Sequence, residues 1–544
     1  MRQSWLSWFL RGTLLVGLFI LLSRIFELGI IKGSYYRSLS EENRIRHIPI
    51  PAARGKILAR GGEEMAGNIM TKKRIKFNDL GGYELSEDIA GASSEDVVSV
   101  YRRTYPLGAK FGHGSGYLKE AGPEDVGKIN PDCPEKGPVA TGSLIGKTGL
   151  EEVYECSLQG TDGEELVEVD TLGGRIRTLG RKEPVAGSDI KTNIDFSLQT
   201  EVANQMESKP GAAIVTSTSG QVLAIYSSPS FDPNLFIKGN PDKHESDNRE
   251  IHNLLIDPGL PFFNRVIGGL FHPGSVFKPI TAVAALESGV IDKNYTFDDP
   301  GVITVNEFSY TNWFFTGFGR KEGTIDLTRA IARSTDTFFY KIGEMAGPEA
   351  IARWADKLGA DRETGIDIPG EKAGLIPTPE WKKRVKKEAW FLGNTYHMAI
   401  GQGDVALTPI EVNSYTSALA SGGKLCVPKL LDSKESCSII DIKKENLDLI
   451  AEGMRQACTK EGTAYTFFDF SDKHSGMQVG CKTGTAEVGT DGTPHAWFTL
   501  FAPFDNPEIT ATVLVERGGE GSKIAGPIAR SIMDFYFQAL STSQ

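Results

Sequence analysis

Three short patterns in this 544-residue chain hold residue types that together could carry out nucleophilic acyl transfer. The first is Ser275-Val-Phe-Lys278. A serine hydroxyl is a poor nucleophile until a base takes its proton, and a lysine amine can be that base once burial or a nearby cation lowers its pKa. Pro273-Gly274 makes a turn before the pattern, and residues 281–287 continue it as a helix. Ser275 therefore falls in a first helical turn, among unpaired backbone N–H groups, with Lys278 on the same face. The same spacing recurs at Ser188/Lys191 and Ser421/Lys424, in a strand entry and a turn, where no helix begins. The second pattern is Ser334-Thr-Asp336. Such a pair is usually a helix cap, but its apolar and aromatic neighbours would bury it, and buried polar groups need partners. The third is Lys482-Thr-Gly-Thr485, with a second K-T-G at Lys147. On a sheet edge Lys482 could hold a carboxylate, Gly484 would let a substrate backbone come close, and Thr485 could offer a backbone N–H to an oxyanion. Each pattern is weak alone. In order they lie 59 and 148 residues apart, within one domain.

The elements that must position these residues can be read from 211 onward. Residues 212–216 and 221–226 flank Thr218-Ser-Gly220 as a hairpin, 478–488, 495–502 and 509–516 read as three more strands, and 524–540 as a closing amphipathic helix. Five antiparallel strands with helices between them make a mixed α/β domain with layered architecture. Residues 35–195 are polar, Gly-rich and mostly β, with strands at 44–50 and 166–170 and one short helix expected within 86–103. Residues 241–250 read as a charged surface loop. Residues 5–31 are mostly apolar, and no small-x-small cleavage site follows soon after the apolar run, which favours an uncleaved signal anchor over a cleaved signal peptide. The flanking positive charges do not decide its orientation. The expected division is 1–34 tail and anchor, 35–195 accessory region and 196–544 catalytic domain.

A composition of 40% hydrophobic and 24% charged residues excludes a wholly disordered or fibrous chain. The net charge of −11 argues against a general nucleic-acid binder. No G-x-x-x-x-G-K-[ST] loop is present. The six cysteines form no C-x-x-C pair and are too sparse for a disulfide framework. One bridge, Cys426–Cys437, is an option, and Cys481 is expected as a packed core cysteine. His495 reads as structural, Trp313 as either cleft lining or packing, and 382–387 (KKRVKK) as a solvated face.

Read in order, S-x-x-K, S-x-D and K-T-G resemble the signature of serine enzymes that bind penicillin. The chain resembles the class B penicillin-binding proteins over nearly its whole length. Arg54-Gly-Lys-Ile57, residues 103–117 (RTYPLGAKFGHGSGY), Thr148-Gly-Leu-Glu151 with Tyr154-Glu155, Pro229-Ser-Phe-Asp-Pro-Asn234, Asn264-Arg265 and His495-Ala-Trp-Phe498 all resemble landmarks of that class. Asp336 in place of Asn, 364–381 (TGIDIPGEKAGLIPTPEW) and Ala399-Ile-Gly-Gln-Gly403 are most similar to its elongation-type members, the penicillin-binding protein 2 group. Phe271-His-Pro-Gly departs from the usual Y-P-P-G. Some relatives hold zinc between the first two motifs. This chain has no His or Cys between Ser275 and Ser334, and Asp298 or Asp299 alone cannot make such a site, so no metal is expected.

The resemblance implies a serine transpeptidase/β-lactamase-like domain on a mostly-β pedestal with one transmembrane helix. It implies a D,D-transpeptidase that cross-links peptidoglycan stem peptides ending in D-Ala-D-Ala, binds β-lactams and uses no cofactor. Ser275 would be the nucleophile and Lys278 its base. Ser334 and Asp336 would relay the proton and orient Lys278, and Lys482, Thr483 and Thr485 would bind the terminal carboxylate beside Gly484. The backbone N–H groups of Ser275 and Thr485 would form the oxyanion hole. Such proteins work at the cytoplasmic membrane, single-pass, with the catalytic domain outside and a SEDS-type glycosyltransferase of the elongation machinery as partner. Two other functions share parts of the pattern: a β-lactam sensor or hydrolase, and a non-catalytic scaffold that activates a glycosyltransferase.

Overall fold

The structure is a computed structural model, and it describes residues 5–542 except 78–82, 87, 92–96, 171–173, 238–245 and 490–491. Chain contacts divide it into two bodies. One comprises residues 1–55, 68–102 and 159–188, the other 56–67, 103–158 and 189–544.

In the first body, helix α1 (Trp5–Phe26) continues through one wider turn to Ile31 and is followed by α2 (Gly33–Arg44). Residues Trp5–Ile31 form a 27-residue helical stretch of mean hydropathy 2.3 with none of its apolar surface buried, long and apolar enough to cross a membrane. Strand β1 (Ile45–Ile50) pairs antiparallel with β5 (Gly163–Val169), which pairs with β6 (Arg175–Lys182). Strand β2 (Glu64–Phe77) pairs through residues 74–77 with β3 (Tyr83–Ser86), and β4 (Val97–Thr104) pairs with β2 as well. The short helix expected within 86–103 is therefore corrected where the chain is described. Val97, Val98 and Val100 are β-branched residues that pack on a pleated surface, and they form a strand. Residues 87 and 92–96 of that expectation lie outside the described residues.

The second body is built on a five-stranded antiparallel sheet. Strands β7 (Gly211–Ser217) and β8 (Val222–Ser228) form the expected hairpin, and β9 (Gly480–Val488), β10 (Gly492–Ala502) and β11 (Ile509–Val515) complete the order β8-β7-β11-β10-β9. Helices cover both faces. On one face Ala213, Val215, Cys481, Phe498 and Val513 pack with α3 (Phe196–Met206) and the closing helix, which runs Gly521–Thr542. On the other, Trp497, Phe501 and Leu514 join a large helical core. Ala212, Ile214 and Ile225 share a further core with Ile57, Tyr105, Leu118 and Leu150, which explains why residues 56–67 and 103–158 belong to this body. The charged segment 241–250 is corrected in part: 238–245 lie outside the described residues, and α4 (Ser246–Ile256) begins within it.

Segments that carried the family resemblance meet here as polar knots. Arg103 Nε donates to Glu151 at 2.8 Å with both side chains at most 1% exposed, and the Tyr105 hydroxyl donates to the same carboxylate at 3.1 Å. Tyr154 donates to Asp367, whose carboxylate also takes the Leu430 and Leu431 amides. The first pair holds its charges in the core, while Tyr154 and Asp367 are half-buried.

The cysteines differ from the sequence reading. All six are paired, as Cys133–Cys156, Cys426–Cys437 and Cys458–Cys481. Cys481 is buried at 0% exposure as expected, but it is bonded rather than free. Spacing could not reveal this, because partners 23 residues apart meet only after a helix and a strand have packed. Closing a loop of 23 residues lowers the entropy of the unfolded chain by about 3 kcal/mol at 25 °C.

Two outcomes check this description. Protein denatured without reductant should react with no maleimide, and with six equivalents after reduction; free thiols before reduction would refute the pairing. Glu151→Ala strips a buried guanidinium of its carboxylate and should cost about 3–5 kcal/mol in denaturant unfolding.

Candidate active site

Ser275 lies in a single 3-10 turn, Gly274–Phe277, which runs directly into helix α5 (Lys278–Glu287). Gly274 is required there. Its φ is +57°, and a Cβ on it would stand 2.9 Å from the Thr485 carbonyl oxygen. That close approach seats the Ser275 turn against the β9 backbone. Trp497 fixes the same turn from below, its indole N–H donating to the His272 carbonyl at 2.9 Å.

Lys278 is 0% exposed. Its ammonium donates to the Ser334 carbonyl at 2.8 Å, to Ser334 Oγ at 3.1 Å and to Asp336 Oδ1 at 2.7 Å. These bonds use its three protons. All three go to the second motif, so the amine faces Ser334 and Asp336. Ser334 caps α7 (Leu327–Arg333) at φ +56°, in the left-handed region. A serine held there costs on the order of 1–3 kcal/mol, and the conformation presents both its carbonyl and its hydroxyl to Lys278. Asp336 opens α8 (Asp336–Ala346), and its Oδ2 accepts at 3.2 Å the amide of Trp313, the first residue of α6 (Trp313–Phe318). The Trp313 indole donates to the Arg333 carbonyl at 2.8 Å, and the Arg333 guanidinium covers the Trp313 and Phe314 rings at 5.2 and 4.9 Å while bonding Glu322.

Lys482 comes from β9, on the side of the strand opposite Cys481 and Thr483. It too is 0% exposed, and it donates to Ser334 Oγ at 2.9 Å and to the Thr483 carbonyl at 2.9 Å. The Ser334 hydroxyl thus bridges two lysine nitrogens. Burial pushes the Lys278 ammonium below the ordinary lysine range, and the Asp336 carboxylate opposes part of that shift. Burial drives Lys482 well down, the Lys278 cation drives it further, and Asp336 again opposes. Lys482 touches only neutral acceptors, so it lacks the direct carboxylate contact that Lys278 has.

Thr483 is 7% exposed and shares a 2.9 Å hydrogen bond with Thr463 Oγ1. Gly484 packs so closely that a Cβ would come within 2.9 Å of Trp497 Cβ and 3.0 Å of the Pro273 carbonyl. Thr485 is exposed, and its Oγ1 accepts the Gly521 amide at 3.3 Å. The three motifs therefore meet: hydrogen bonds join Lys278, Ser334, Asp336 and Lys482, and the Ser275 turn lies against the strand of Thr483, Gly484 and Thr485. The decoys do not. Ser421 Oγ donates to the Ser417 carbonyl, Lys424 pairs with Glu435, Lys147 pairs with Asp125, and Lys191 lies in the short strand Ile190–Lys191.

Asp299 is occupied as a loop organiser. Its carboxylate accepts from the Gly301 and Glu322 amides, from Thr337 Oγ1 and from Asn312 Nδ2. Among the described residues no cluster of His, Cys, Asp and Glu could hold a metal ion. Sequence reasoning missed the Trp313 amide on Asp336 and the Thr463 hydroxyl on Thr483. The first is a backbone group and leaves no trace in residue type, and the second comes from a loop with no pattern of its own.

Comparison with known proteins agrees with this arrangement. The penicillin binding protein transpeptidase domain matches residues 211–534, and the penicillin-binding protein dimerisation domain matches 83–192. Peptidoglycan D,D-transpeptidase MrdA of Escherichia coli K12 is 32% identical, over 97% of this chain and 92% of its own length. Penicillin-binding protein 2 of Helicobacter pylori, solved in complex with MreC, has a TM-score of 0.77 at 26% identity, over 91% of this chain and 99% of that one. A chain from a peptidoglycan synthase complex that coordinates polymerization and crosslinking has a TM-score of 0.75 at 27% identity, over 97% of this chain and 98% of that one. A transpeptidase match over more than half of the chain, together with a relative alike from end to end, accounts for why three weak motifs converge on one serine: the chain belongs to the penicillin-binding protein transpeptidases.

Proposed function

We propose that this protein is a membrane-anchored peptidoglycan D,D-transpeptidase in which Ser275 forms the acyl-enzyme. The observation that carries the reading is the Lys278–Ser334–Lys482 chain, closed by Asp336 and set beside the Ser275 turn. Ser275 Oγ attacks the carbonyl carbon of the penultimate D-Ala, and its proton passes to neutral Lys278. The developing oxyanion is held by the backbone N–H groups of Ser275 and Thr485, each such donor being worth about 3–4 kcal/mol. The peptide C–N bond breaks, and the Ser334 hydroxyl hands the proton to the leaving D-Ala amine. An amine from a neighbouring stem then attacks the ester, forms the new amide and returns the proton to Ser275.

The terminal carboxylate of the donor binds at Lys482, Thr483 and Thr485. Its negative charge favours the cationic form of Lys482. Because the Ser334 hydroxyl touches both nitrogens, a proton can leave Lys278 for Lys482 as the donor arrives. Substrate binding would then prepare the base. A β-lactam acylates Ser275 and remains attached. No cofactor enters these steps.

The N-terminal helix serves as a single-pass anchor, residues 35–195 as a pedestal and residues 196–544 as the transpeptidase domain outside the cytoplasmic membrane. Three disulfides support an oxidising, extracytoplasmic compartment. An elongation role beside a membrane-embedded SEDS-type glycosyltransferase is supported by the relatives solved with MreC and in a peptidoglycan synthase complex.

Two experiments test the reading. Full-length protein in detergent, labelled with a fluorescent penicillin and weighed intact, should gain one adduct that disappears in Ser275→Ala. Rapid release would indicate a hydrolase, and no adduct from folded protein would indicate a scaffold. The rate of acylation should rise with pH and level off below the ordinary lysine pKa of about 10.4, because only neutral Lys278 can accept the proton and burial has lowered its pKa. Asp336→Asn removes the charge that raises that pKa, so the rising limb should move to lower pH. An unmoved limb would show that Lys278 is not the base.

A further inference from the structure

The segment between helix α9 and strand β9 does more than connect them. Here α9 is Lys444–Ala457, and Cys458, the residue that caps its C-terminus, is bonded to Cys481, the neighbour of Lys482. Five residues later Thr463 Oγ1 lies 2.9 Å from Thr483 Oγ1. Cys481 and Thr483 point to the same side of β9, because strand side chains alternate. One short loop is therefore fastened twice to the side of the strand opposite Lys482. A third contact comes from helix α10 (Gly521–Thr542), where buried Ser522 donates to the Thr463 carbonyl at 2.6 Å. Arg329 of α7, the helix that ends at Ser334, reaches Glu461 of the same loop at 2.9 Å. That pair is exposed and contributes little.

The two hydroxyls have a chemical consequence. Each carries one proton. If Thr483 spends its proton on Thr463, it has none for a substrate. If Thr463 donates to Thr483, the Thr483 proton is released for another acceptor, and the bond it receives makes it a better donor. The Thr463 carbonyl is already held by Ser522, and the disulfide fixes where the loop lies, so Thr463 Oγ1 stays within reach of the Thr483 hydroxyl.

We propose that Thr463 is a positioning residue for the third motif, directing the Thr483 hydroxyl toward the C-terminal carboxylate of the donor. The proposal rests on the transpeptidase reading above. It makes recognition of a carboxylated donor depend on a residue outside the three motifs, held in place by the Cys458–Cys481 bond.

The test compares benzylpenicillin with its methyl ester, which lacks the carboxylate, as acylating agents of full-length protein. Thr463→Val keeps the shape of the side chain and removes its hydroxyl. Acylation by benzylpenicillin should slow by about tenfold, the scale of one hydrogen bond to a charged group, while acylation by the ester stays within about twofold. Thr463→Ser should restore the benzylpenicillin rate. An equal fall for both reagents would assign Thr463 a purely structural role and overturn the proposal, as would an unchanged benzylpenicillin rate. Failure of the unsubstituted protein to react with either reagent would instead remove the transpeptidase reading, and this proposal with it.

Discussion

Two lysine side chains are buried against one serine hydroxyl, with a single carboxylate beside them. Burying an ammonium is expensive unless it is paired and fully hydrogen-bonded. Lys278 meets that condition through Asp336 and both oxygens of Ser334. Lys482 meets only half of it, through a hydroxyl and a carbonyl. The site therefore sets two buried lysines against a single carboxylate. Under the proposed function, a donor carboxylate arriving beside Lys482 supplies the second negative charge that the pair lacks.

The rest of the fold follows from keeping those groups in place. Ser334 must adopt a strained left-handed conformation, and the ends of two helices impose it. The Ser275 turn must lie against β9, and two glycines make the approach close enough. Asp336 must point at Lys278, and the Trp313 amide takes its second oxygen. Beneath them the five-stranded sheet is covered on both faces, so the backbone that carries Lys482 cannot shift without disturbing a packed core.

Much of this was legible in the chain. The order of the three motifs, the hairpin at 211–228 and the last three strands follow from turn chemistry and alternation, which are local. The site residues could be named because nucleophile, base and carboxylate binder each demand a particular side chain. What was not legible depends on contacts distant in sequence. Cys133, Cys458 and Cys481 gave no spacing signal, because their partners meet only in the packed protein. The short helix expected within 86–103 gives way to a strand from Val97, because charged neighbours obscured Val97, Val98 and Val100, whose pairing partner lies on another strand. The Trp313 amide on Asp336 had no signature at all, since every residue but proline has an N–H.

The strand order also governs when the molecule can work. The hairpin that opens the domain, Gly211–Ser228, finds its neighbour only in Ile509–Val515, almost three hundred residues later. Strand β9, which carries Lys482, joins the sheet only through Gly492–Ala502, which itself pairs with that same late strand. Loop closure over such a distance is slow, and nothing in the intervening chain can stand in for it. A chain that lacks this late strand thus holds Ser275 and the two lysines unassembled. The three motifs come together only once the last strand lies between the first hairpin and β10, so the site is assembled at the end of folding and not before.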